Sequence, residues 1–159
     1  MRRLLFLLIL PCLAAAAPNG RQAIGQFHGW GAFRDDRPRR CFAAAEPAGR
    51  QGSGGAAYVA FWPDAGNRAR FSLSLRADPR PGSAILLAVG DRRFQFVARG
   101  RDAVPADPRA SAAIVAAMRT ASAMTVVSRS VRGARLRDDY ALAGFPSAVD
   151  AAALACARW

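Results

Sequence analysis

The chain has no lysine. All 23 of its Lys/Arg positions are arginine, and it carries one histidine and three cysteines. The single histidine, His28, excludes a metal site built on two imidazoles. The glycine-rich stretch "GRQGSGG" lacks the Gly-Lys-Ser/Thr ending and following helix of a phosphate loop. Asp138 and Asp139 are neighbours on a predicted strand, where side chains alternate between faces, so they do not form an acid/base pair. Pairing at the surface with Arg135 or Arg137 is expected of them. His28, between Phe27 and Gly29-Trp30, has no evident Ser or Cys to activate. Nothing in the sequence points to an enzyme, a cofactor or a metal.

Long apolar runs are also missing. The longest, Leu4 to Ala17, is 14 residues, where a spanning helix needs about 20. It follows Met1-Arg2-Arg3 and ends in Ala14 to Ala17, the order of charged, apolar and small residues in a secretory signal peptide. Residues 1–16 are therefore expected to be a signal peptide, leaving 17–159 as a single domain in the periplasm or outside the cell, not spanning the membrane once the signal is removed. Cys12 then leaves with the signal, and the remaining Cys41 and Cys156 are expected to pair in that oxidising compartment.

What is abundant is positive charge, +12 formally. In a cytosolic protein this would suggest nucleic acid. Here the arginines are scattered along the chain among many Ala, Gly and Pro residues, as GC-rich coding would leave them. No nucleic-acid partner is assigned. An anionic envelope component, such as lipopolysaccharide or anionic lipid, or an unknown protein is the expected partner.

The stretch "RDDRPRRCF" concentrates this charge before Cys41. It reads as a solvated connection in which Asp35 and Asp36 partly neutralise their neighbours and Pro38 keeps the chain extended. Arg37, Arg39 and Arg40, with Trp30 and Trp62, form the candidate binding surface. Core packing is the expected role for the tryptophans and for Tyr58, with stacking on a ligand the alternative.

Period-two patterning marks the strands. "IGQFHGWGAF" is expected as a first strand or aromatic corner, and "CFAAA" as a short buried strand. "YVAFW" and "ARFSLSLR" flank a turn, with Phe71, Leu73 and Leu75 on one face. In "AILLAVGDRRFQFVA" a Gly90-Asp91 turn sets Leu87 opposite Phe94 and Ile85 opposite Phe96. "DPRASAAIVAAMRTAS" predicts a helix capped by Asp107, with Ile114, Val115 and Met118 on one side. "MTVVSRSV" and "ARLRDDYAL" form a hairpin around Gly133. "FPSAVDAAALACARW" predicts a terminal helix, capped by Ser147 and packed through Leu154. The fold class expected is mainly β, an antiparallel β-sandwich or barrel of about seven strands with one inserted helix and a C-terminal helix.

Several of these segments, "AILLAVGDRRFQFVA", "SAAIVAAMRTASAMTVVS" and especially "YALAGFPSAVDAAALAC", resemble the invasion-associated locus B family of exported alphaproteobacterial proteins. Leu142, Gly144, Phe145 and Ala148 carry an L-x-G-F-x-x-A element, and Phe27, Trp30 and Cys41 match the family's opening. The match covers most of residues 24–156. Family members often place a cysteine pair between the central hairpin and the helix; residues 98–111 here have none. The resemblance implies a β-rich, exported domain associated with host-cell invasion and no established chemistry. The function expected is an exported, non-catalytic binding domain; the alternative is a periplasmic enzyme or enzyme inhibitor. A polar cleft around His28 would favour the alternative, and a surface aromatic or arginine patch the binder.

Overall fold

The computed structural model describes residues 20–49 and 52–159. The predicted signal peptide lies outside the described residues. Ten strands follow one another among the described residues: β1 (Arg21–Phe27), β2 (Trp30–Asp36), β3 (Arg39–Ala45), β4 (Ala56–Phe61), β5 (Arg70–Ser74), β6 (Ile85–Val89), β7 (Arg92–Arg99), β8 (Asp102–Pro105), β9 (Ala123–Arg129) and β10 (Arg135–Ala141). Helix α1 (Ala110–Thr120) is inserted between β8 and β9, and α2 (Phe145–Ala157) ends the domain.

All ten strands belong to one open antiparallel sheet, in the order β1-β2-β3-β4-β5-β8-β7-β6-β9-β10. This corrects the expected sandwich or closed barrel of about seven strands. The aromatic segment 24–33 is split by His28, which takes a left-handed φ of 52° and turns β1 back onto β2. Its His-Gly link is not one of the Asn-Gly or Asp-Gly signatures that announce a tight hairpin. The four-residue β8 was equally unmarked, yet it joins the two halves of the sheet by pairing with β5 and β7.

One face of the sheet is buried. Cys41, Ala43 and Ala45 alternate inward with Ala57, Val59 and Phe61 on the neighbouring strand. The small side chains of Cys41, Ala43, Ala45 and Ala57 let α2 approach closely with Phe145, Ala148, Val149, Ala152 and Cys156, a helical stripe of spacing three and four. Leu154 lies off that stripe and is 57% exposed, so it does not pack as expected. Ser147 sits inside the first turn and makes no capping bond; the N-cap is Gly144, in a left-handed conformation. Asp150 instead pairs with Arg119 of α1 at 2.5 Å. In α1 the expected Ile114, Val115 and Met118 are buried. The expected cap, Asp107, is not the N-cap: the helix starts later, after Arg109, which makes no side-chain capping bond, and Asp107 accepts the Arg109 N–H at 2.9 Å just ahead of it.

The Gly90 turn, with φ of 57°, sets the predicted register of β6 on β7, Leu87 opposite Phe94 and Ile85 opposite Phe96. The predicted disulfide is present: Cys41 and Cys156 are bonded with Cα atoms 5.6 Å apart, joining β3 to the last turn of α2 across 115 residues. Asp138 and Asp139 face opposite ways. Asp139 pairs with Arg137 at the surface, 2.8 Å apart. Asp138 is buried and contacts Arg76 at 2.7 Å, rather than a neighbour on its own strand.

The free edge of β10 is capped without another strand. In an antiparallel strand alternate carbonyls point to the same edge, and three in succession find donors from elsewhere. Arg137 O accepts from Arg76 Nη2 at 3.5 Å, Asp139 O from Ala48 N–H at 2.7 Å, and Ala141 O from the Trp30 indole at 2.9 Å. The sheet curls far enough to bring its last edge to the start of β2 and the β3–β4 loop, without closing through strand pairing.

Candidate functional site

Strand alternation divides the basic stretch between two faces. Register sets Asp35 opposite Arg40 and Phe33 opposite Phe42, so these four point away from α2. Arg34 and Arg39 point the other way, where their guanidinium groups lie 4.4 and 5.0 Å from the Trp159 ring centroid. Arg39 also pairs with exposed Asp64 at 3.7 Å.

On the face away from α2, Asp35 is the centre of a cationic cluster. It is only 4% exposed. Its carboxylate accepts Arg21 Nε at 2.8 Å and Arg21 Nη2 at 3.0 Å, a two-pronged contact from the adjacent β1, and Arg40 Nε at 3.0 Å from β3. The hydrogen bonds from Arg21 hold its pKa below the usual carboxylate value, against the opposing effect of burial. Both guanidinium groups lie 5.0 Å from the Phe42 ring centroid, within cation–π range. Phe42 stacks on Phe33 at 5.3 Å and meets Tyr58 at 6.2 Å.

These rings floor an open groove of about 640 Å³, with Arg21, Gln26 and Glu46 among its polar lining. Gly31 lets the Phe33 ring lie close against that floor. A Cβ there would come within 2.6 Å of the Phe33 ring, which lies over the glycine backbone.

The sequence-predicted surface residues are not brought together. Trp30 is fully buried, packed edge-on against Phe145 at 4.8 Å, and is no part of a binding surface. Arg37 is exposed at the β2–β3 turn. Trp62 is half-buried beside Arg70, 5.4 Å from its ring centroid. Only Arg40 joins the groove's cluster. Sequence reading missed Arg21, Gln26, Phe33, Phe42 and Glu46; the alternation of Phe33, Asp35, Arg40 and Phe42 about the Pro38 turn was the available signal. His28 is exposed on the β1–β2 turn, and among the described residues its imidazole makes no hydrogen bond or ion pair.

The chain is thus a disulfide-tied domain of one curled antiparallel sheet, with an aromatic and arginine-lined groove on its uncovered face. It is similar in fold to the crystal structure of invasion associated protein B from Bartonella henselae, with a TM-score of 0.63 and 16% identity over 87% of this chain and 99% of that one. The family resemblance read from the sequence agrees with that structural match. No protein-family model and no curated protein matches the chain. No helix among the described residues is long and apolar enough to cross a membrane. The disulfide is the kind that persists in an oxidising, extracytoplasmic compartment.

Proposed function

We propose that this is an exported, non-catalytic domain that binds an envelope component or a protein partner through the groove over β1–β4. The observation that carries the reading is buried Asp35 holding Arg21 and Arg40 beside Phe42. Arg21 and Arg40 side chains remain 46% and 34% exposed, so donors are left for a ligand. Holding them in place before binding reduces the ordering entropy a ligand would otherwise have to offset. Aromatic faces beside fixed guanidinium groups suit a partner with anionic or hydrogen-bond-accepting groups next to apolar surface. The name of the Bartonella protein supports a role at the interface with a host.

A photo-crosslinking amino acid placed at Tyr58, on the groove floor, tests this in producing cells. A discrete adduct is expected at position 58 and not at Leu154, which is exposed on α2. No adduct at 58, or the same adducts at both positions, would reject the groove as the binding site.

A further inference from the structure

A second surface, on the far half of the sheet, has a different chemistry. Register places Val97 opposite Val104, Leu86 opposite both Gln95 and Val127, and Val127 opposite Arg137. Directly paired residues share a face. Their chain neighbours Phe96, Ile85, Leu87, Val126 and Ala103 are buried in the core, so this set points outward. Leu86, Val97 and Val104 are 41, 54 and 49% exposed. Isolated exposed aliphatics are ordinary, but here Val104 pairs with Val97, Leu86 pairs with Val127, and Leu86 is the diagonal neighbour of Val97, so a stripe runs across β8, β7, β6 and β9.

The same face carries Arg93, Arg99, Arg129, Arg135 and Arg137 against two carboxylates, Asp102 and Asp139. Among the described residues, Arg99 and Arg135 make no ion pair. We propose that this face docks on an anionic lipid surface, the stripe entering the headgroup boundary and the arginines engaging phosphates. The charge complementarity favours lipid over a neutral or basic partner. Guanidinium groups bind phosphate oxygens in pairs, and aliphatic stripes rimmed with cations suit the boundary between headgroups and acyl chains. The stripe residues Leu86, Val97, Val104 and Val127 are not among those that line the β1–β4 groove.

Vesicle co-sedimentation tests it, using the protein as the cell processes it. Binding to phosphatidylcholine vesicles containing phosphatidylglycerol is expected, with none to phosphatidylcholine alone. Arg99→Gln with Arg135→Gln should weaken binding about tenfold or more. Leu86→Gln with Val97→Thr should also weaken it, at unchanged charge. Should that pair lower the melting temperature, Val104→Thr provides the same test from the neighbouring strand. Arg37→Gln with Arg39→Gln removes equal charge elsewhere and should leave binding intact. Absence of binding to the anionic vesicles overturns the proposal, including the case where the face seats a protein or a second copy. So does an equal loss from Arg37→Gln with Arg39→Gln, or no effect of the aliphatic substitutions.

Discussion

Trp30 and Ala141 are 111 residues apart, yet the Trp30 indole donates to the Ala141 carbonyl at 2.9 Å. This bond joins the buried start of β2 to the end of β10, the outermost strand on the other side of the sheet. Phe145 packs on the same indole and begins α2 a few residues later. Trp30→Phe keeps an aromatic ring in that space but removes the donor. Its expected cost is about 1–3 kcal/mol, from the lost bond and incomplete filling. Chemical denaturation measures the loss, and amide exchange should rise first at the β10 edge.

Asp35 links stability to pH. Its folded pKa is lowered chiefly by the Arg21 hydrogen bonds, so its contribution is present above the unfolded value, about 3.9. It is lost as pH falls from there through the lower folded value. Asp35→Asn keeps the shape but removes the charge. It should destabilise the protein at neutral pH by about 1–3 kcal/mol. Its stability should then fall less steeply than the wild type's below about pH 4. Melting curves across that acid range check the sign; an identical acid slope in both proteins would contradict it.

What could be read from sequence follows the range of the interactions. The β6–β7 hairpin was legible because Gly90 and alternating aliphatics set its register within a few residues. The helical stripe of Ile114, Val115 and Met118 is equally local. By contrast, β8 enters the sheet between β5 and β7, an arrangement set by distant pairing. The Asp138–Arg76 pair was hidden for the same reason. The groove combines both cases. Its arginines and Asp35 were visible as a charge run, but their joint placement required three strands in register. Core packing was the expected role of Trp30 and is the one it takes, but its place in the candidate binding surface was wrong, because an aromatic beside glycines gives no sign of which face it takes.

Gly144 and Gly133 separate backbone strain from a steric clash. Both have φ of 84°, where an L side chain is strained. At Gly133 an added Cβ would meet nothing within 4 Å; at Gly144 it would run into the Phe27 carbonyl. Gly133→Ala should therefore cost only the conformational strain, about 1–2 kcal/mol. Gly144→Ala should cost clearly more, because β1 would have to move away from the start of α2. Equal losses in thermal denaturation would show that the approach to Phe27 contributes nothing.

Cys41 and Cys156 are 0 and 2% exposed, and their bond fastens α2 to the sheet. The processed protein, denatured without reductant, should have no titratable thiol. Closing a loop over 115 residues restricts the unfolded chain, an effect worth about 4–5 kcal/mol in the chain-entropy account. Cys156→Ser removes that restriction while changing little volume, and its hydroxyl is placed to donate to Phe61 O, which Cys156 Sγ approaches at 3.5 Å. The variant should melt at a markedly lower temperature and keep the β-rich circular dichroism of the wild type. The aliphatic packing of β6, β7 and β9 lies away from the bridge and should remain formed below that temperature. Reduction of the wild type should lower its melting temperature similarly but leave Cys156→Ser unchanged. A similar fall on reducing the variant would assign the loss to something other than this bond.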